Sequence, residues 1–192
     1  MTRAPAPRPL DLEAAFEDVL DAARSGAAWA YESLYGALAA RVCGYLRLHG
    51  APEPEDLTSE LFLRVFDRLD GFDGGEAQFR SWVFTIAHRL LIDDRRRRDA
   101  RPRTTQFVVS VESIAGGDAE TDALGRLDVR NVEATLAALP ADQRDVLMLR
   151  VLADLTVEEV ARALDKRPGA VKALQRRGLA RLRRHLEQGI AS

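Results

Sequence analysis

Residues 155–186, LTVEEVARALDKRPGAVKALQRRGLARLRRHL, admit few folds. Thr156 followed three residues later by Glu159 forms a capping box, in which each side chain satisfies a backbone N–H left open at a helix start. A helix is therefore predicted from Val157. Val157, Val160, Ala161 and Leu164 recur at i, i+3, i+4 and i+7, which gives that helix one apolar face. Residues 165–169 break the period. Pro168 suits the first turn of a second helix, where its missing N–H has no intrahelical partner to lose. On that second helix Val171, Leu174, Leu179, Leu182 and Leu186 are expected to face inward. Lys172, Arg176 and Arg183, with Ala173, Arg177 and Arg184 beside them, are expected to face outward. This is the pattern of a helix-turn-helix whose second helix enters the major groove of DNA. An ordinary helical hairpin with a solvated basic face would share it.

Charge segregation narrows the choice. The chain of 192 residues has a net charge of -2. Residues 88–103 nevertheless carry seven Arg against three Asp, and residues 162–187 carry nine Lys or Arg against two acids. What is left is 12 basic against 25 acidic residues. Two basic islands in an acidic body suggest two contacts with polyanions and one with a basic partner. No apolar run approaches the roughly 20 residues that span a bilayer. The N-terminus lacks the apolar core of a secretion signal, so a cytoplasmic protein without membrane insertion is expected. A single cysteine, Cys43, excludes an internal disulfide and a cysteine zinc cluster. His49, His88 and His185 show no paired ligand spacing, so neither metal nor cofactor is expected.

Residues 1–10 hold three prolines and are expected to be a disordered tail. An amphipathic helix follows over residues 11–24, with Leu12, Phe16, Val19, Leu20 and Ala23 on one side. A longer one over residues 29–48 carries Trp29, Leu34, Leu38, Val42, Tyr45 and Leu46 as core. In PEDLTSELFLRVFDRLDGF, Leu57, Leu61, Val65 and Leu69 form a buried stripe flanked by Phe62 and Phe66. Asp56, Glu60, Leu63 and Asp67 follow the helical period on another face. Like charges one turn apart repel by a few tenths of a kcal/mol. That face is either a solvated acidic surface or a docking strip for a basic partner.

After the glycine-rich loop GFDGGEA, the next helix has Phe79, Val83, Ile86 and Leu90 on its core side. Trp82, Thr85, Arg89, Asp93 and Arg96 share another face. Aromatic platforms interleaved with cations hold single-stranded nucleic acid. A buried Trp82 with Arg95, Arg96, Arg97 and Arg98 as a solvated helix end, favoured by the helix dipole, fits equally. Helical periodicity is lost over residues 101–127, which are expected to form a flexible acidic linker. TTQFVVSV within it could pair as a strand but has no evident partner. Short helices over residues 129–139 and 142–152 lead into the helix-turn-helix, with Leu136, Leu139, Val146, Leu147, Leu149 and Val151 as their core.

In this order, PEDLTSELFLRVFDRLDGF, QFRSWVFTIAHRLLIDDRRRR and LAALPADQRDVLMLRVLADLTVEEVARALDKRPGAVKALQRRGLARLRR resemble a bacterial sigma factor of the extracytoplasmic-function type, over about residues 20–188. The resemblance implies an all-α fold of two small helical domains. A sigma region-two domain would occupy residues 11–100 and a region-four helix-turn-helix domain residues 128–192. It implies a transcription-initiation factor, not an enzyme, which binds core RNA polymerase, recognises the minus-ten and minus-thirty-five promoter elements and promotes strand opening.

On that resemblance Asp56, Ser59, Glu60, Leu63 and Asp67 meet the coiled coil of the polymerase clamp, Ser59 standing where the family often has Gln. Arg80, Trp82, Arg89, Arg95, Arg96, Arg97 and Arg98 hold melted minus-ten DNA, with one base drawn into a pocket near the glycine-rich loop. Lys172, Ala173, Arg176 and Arg177 read the minus-thirty-five duplex; Ala170 replaces a frequent Thr or Ser. The linker would thread through the polymerase's RNA path. An anti-sigma protein is the further partner implied. From the residues alone, a free-standing repressor or activator with a helical sensor domain explains the C-terminal island, but neither the tryptophan-arginine helix nor the acidic face.

Overall fold

A computed structural model describes residues 12–100, 135, 136 and 138–190. Among them lie seven α-helices and one 3₁₀ turn, with no strand. The first four helices are α1 (Leu12–Arg24), α2 (Ala28–Leu48), α3 (Pro54–Asp67) and α4 (Glu76–Ala100), with the 3₁₀ turn (Leu69–Gly71) between α3 and α4. The C-terminal part holds α5 (Ala141–Val151), α6 (Val157–Ala163) and α7 (Pro168–Ile190). The expected tail, the linker with its TTQFVVSV stretch, and most of the helix placed at residues 129–139 lie outside the described residues.

In the N-terminal domain α2 packs on α1, α3 and α4, and α4 also touches α1 and α3. The apolar stripes meet as their periodicity requires. Phe16, Val19, Leu20 and Ala23 of α1, Leu34, Leu38, Val42, Tyr45 and Leu46 of α2, and Leu57, Leu61, Phe62, Val65 and Leu69 are all buried. Gly50, with φ of 76°, turns the chain after α2 in the left-handed region that side chains disfavour. Pro54 then opens α3. Trp29, expected in the core, is half exposed. It sits in the first turn of α2, where Ala30 takes the buried position instead.

Burial on α4 is wider than one stripe. Beside Phe79, Val83, Ile86 and Leu90, the side chains of Phe84, Ala87 and Leu91 are also buried. Contacts with three N-terminal helices and with α6 of the C-terminal domain account for that width. The two domains thus share one continuous apolar core.

In the C-terminal domain α7 packs on α5 and α6. The capping box forms as expected: Glu159 N–H donates to Thr156 Oγ1 at 3.2 Å, and Thr156 N–H donates to Glu159 Oε2 at 2.7 Å. Two inward assignments need correction. Leu179 is 49% exposed, because α7 approaches α5 through Gly178. A Cβ at Gly178 would stand 2.8 Å from Leu147 Cδ1, so any larger residue here must displace the Leu147 side chain or push the helices apart. Val151 is 72% exposed, because Ala153 and Leu155, both fully buried, fill the core as the chain leaves α5.

Candidate nucleic-acid interface

On α7 the burial of Val171, Leu174 and Gly178 fixes which side points outward. Lys172, Arg176 and Arg177 are exposed, and Ala173 is half-buried beside them. None of the three cations is drawn into an ion pair among the described residues. A rigid helix presenting unpaired Lys and Arg with a small residue between them can lie in a major groove, where such side chains donate to guanine or to phosphate.

The α4 island is arranged differently. Arg89, Arg96, Arg97 and Arg98 are exposed; Arg80, Trp82 and Arg95 are half-buried. Asp94 on the same helix pairs with Arg98 at 2.9 Å and with Arg97 at 4.0 Å. Arg80 donates to Glu76 Oε1 at 3.3 Å, and its other terminal nitrogen stands 3.9 Å from Asp154 Oδ2 of the C-terminal domain. Its Nε is buried without a partner. Arg95 donates to the backbone carbonyl of His49.

Trp82 stacks on Phe72, the ring centroids 5.1 Å apart and the planes at 23°, with Phe79 edge-on to Phe72 and tilted against Trp82. Phe72 is a residue that sequence reasoning passed over, although it stands in the glycine-rich loop. Its carbonyl accepts from the Arg24 guanidinium at the end of α1. Gly74 packs so close that a Cβ would lie 2.9 Å from Gln78 Cβ and 3.1 Å from the Phe72 ring. The loop, the aromatic stack and the start of the cationic face therefore form one local unit.

On α3, Asp56, Ser59, Leu63 and Asp67 are exposed and Glu60 is half-buried. Glu60 pairs with Arg64, and the Ser59 hydroxyl donates back to the Glu55 carbonyl at 3.1 Å. Leu63, 71% exposed, gives this acidic face an apolar centre. Isolated carboxylates need no such neighbour; a docking surface uses one.

A further polar cluster lies between the domains. The His49 ring lies with Nδ1 2.8 Å from the Tyr45 carbonyl oxygen and Nε2 2.8 Å from Asp145 Oδ1, hydrogen-bonded to both. Burial opposes charge on Asp145, but the His49 hydrogen bond and the charges of His49, His88 and Arg95 outweigh it and hold the carboxyl below its ordinary range. The Tyr45 hydroxyl lies 2.9 Å from His88 Nδ1. Burial pushes that phenol far up and keeps His88 below the usual histidine range. Sequence reasoning set these histidines aside for want of ligand spacing; partners 96 residues apart leave no local signal.

Comparison with known proteins gives these surfaces a class. Residues 30–101 match Sigma-70 region 2, and residues 130–182 match Sigma-70 region 4. The ECF RNA polymerase sigma factor SigX of Bacillus subtilis is 31% identical over 139 residues, covering 70% of this chain and 71% of SigX. The ECF RNA polymerase sigma factor BldN of Streptomyces coelicolor is 31% identical over 171 residues, 88% of this chain but 65% of BldN. CnrH, solved in complex with the cytosolic domain of CnrY, shares the fold at a TM-score of 0.65 and 23% identity, over 89% of this chain and 96% of CnrH. The chain belongs to the ECF family of RNA polymerase sigma factors. Members of that family initiate transcription at promoters and are not catalysts. Among the described residues no helix is long and apolar enough to cross a membrane.

Proposed function

We propose that the three surfaces divide promoter initiation between them in the cytoplasm, with no chemistry of the chain's own. The face of Asp56, Ser59, Glu60, Leu63 and Asp67 docks on a basic element of core RNA polymerase. The α4 unit of Arg80, Trp82, Arg89, Arg95, Arg96, Arg97 and Arg98 holds melted minus-ten DNA. Lys172, Ala173, Arg176 and Arg177 locate the duplex at minus thirty-five. An anti-sigma protein that blocks these surfaces belongs to the same proposal, on the family's account. The observation that carries it is the outward row of Lys172, Arg176 and Arg177, without an ion pair among the described residues, on a helix seated from behind by Val171, Leu174 and Gly178.

Run-off transcription with purified core polymerase over a promoter library tests the whole. Promoter-dependent transcripts are expected, and Asp56→Arg with Glu60→Arg should abolish them by weakening core binding. Sharp binding to duplex DNA without polymerase, together with no binding to core, would instead identify a free-standing repressor or activator.

A further inference from the structure

The interface between the domains is built unevenly. At one point it is tight: His49, whose side chain is wholly buried, and Asp145, whose side chain is 10% exposed, meet as a hydrogen-bonded pair 2.8 Å apart. Arg95 ties the same spot to α4 by donating to the His49 carbonyl, and Lys166 and Arg144 add positive charge nearby. At its Arg80 end the interface is loose. Arg80 meets Asp154 at 3.9 Å, Asp154 is largely exposed, and Arg80 keeps a buried Nε with no partner. Arg80 and Arg95 lie fifteen residues apart, so the cover runs about 22 Å along α4.

From this we infer that the His49–Asp145 pair is an intramolecular latch, which holds the C-terminal domain closed over α4 and keeps Arg80 from nucleic acid until it opens. The inference rests on the proposed role of α4 in holding single-stranded DNA. Its physical logic is competition. The Asp154 carboxylate of the C-terminal domain stands 3.9 Å from Arg80, where a phosphate would otherwise stand, while Glu76 of α4 keeps its own hydrogen bond to Arg80. The weak, incompletely satisfied contact at Arg80 can be exchanged for phosphate at little cost, whereas the buried pair must be broken first. A protein that is closed most of the time binds with an apparent affinity reduced by its open fraction. Arg89, Arg96, Arg97 and Arg98 stay exposed in the closed form, so an encounter with DNA needs no opening; full engagement does.

The test uses the full chain carrying Cys43→Ser, with donor and acceptor dyes on Glu32→Cys in α2 and Arg162→Cys in α6, both exposed positions. Energy transfer reads the domain separation, and the anisotropy of a labelled oligothymidine reads single-strand binding. Asp145→Asn keeps the side chain's shape and removes its charge. It should lower energy transfer and tighten oligothymidine binding by about fivefold or more. Asp154→Ala, at an exposed site, should leave transfer unchanged and tighten binding by about twofold. Unchanged transfer in a folded Asp145→Asn overturns the latch. Lowered transfer without tighter binding overturns the masking. Should circular dichroism show that Asp145→Asn does not fold, Asp154→Ala decides, and no gain in its binding overturns the cover. An Asp145→Asn protein that opens and binds oligothymidine, yet gives no run-off transcripts with core polymerase, upholds the latch and refutes the sigma reading of the site.

Discussion

The two basic islands, similar in the sequence, are held differently by the fold. On α7 Lys172, Arg176 and Arg177 make no ion pair among the described residues and stand on a helix anchored from behind, as the proposed duplex contact requires. On α4 Arg80 and Arg95 are taken up by the protein's own oxygens, and Asp94 pairs with two of the rest. The difference follows from where each helix lies. Among the described residues the outer face of α7 has no neighbour, whereas α4 is the central helix of its domain and also the surface on which the C-terminal domain rests. A charge run in sequence therefore says that a polyanion is expected; only packing says whether the run is already occupied.

The sharpest break in this contrast is Asp145→Ala. It leaves the buried His49 ring without its hydrogen-bond partner, and a buried polar group left unsatisfied costs about 1–3 kcal/mol. Urea unfolding of the full chain should show that loss, and the α7 surface should keep its duplex affinity. Gly178→Leu attacks the other island instead. The added side chain meets Leu147 at once, and overpacking of this kind costs about 1–3 kcal/mol, read as a lower urea midpoint. Because it pushes α7 off α5, duplex binding should fall with stability.

Much of this was legible in advance, and what was not has physical causes. Capping box, proline and apolar period located α6 and the start of α7 because those signals are local. Leu179 was set inward because apolar periodicity looks for large side chains; the residue that seats the helix is Gly178, whose contribution is the absence of one. Val151 and Trp29 sit at helix ends, where the period continues after the neighbouring helix has stopped offering cover. The acidic and basic faces were visible by spacing. The pairing of His49 with Asp145 was not, because nothing in either segment refers to the other.

Smaller effects refine the comparison. Arg176→Ala should lose about 1–3 kcal/mol of discrimination at one base pair of the minus-thirty-five element if it reads a base. Arg89→Ala on α4 should weaken all sequences alike; competition binding over a set of promoter variants separates the two.

The interface should also respond to acid. Burial, reinforced by the charges of His49, Arg95 and Lys166 against the opposing pull of Asp145, keeps His88 below the ordinary histidine value of 6.5. Its contribution to stability is therefore full above that value and is lost as pH falls from it toward the lowered one, because the unfolded chain takes up the proton first. Asp145, also lowered, loses its contribution further down the same direction. Relative to that of His88→Gln, the wild-type urea midpoint should fall between about pH 7.5 and pH 5.5.

The central claim is a division of labour: α7 finds the promoter and α4 opens it. The most direct measurement follows 2-aminopurine fluorescence in the minus-ten element on addition of core polymerase and the protein, with recruitment read in parallel by gel shift. Trp82→Ala, which removes the ring stacked on Phe72, should abolish most of the fluorescence rise while leaving recruitment close to wild type. Equal losses in both signals would contradict the division.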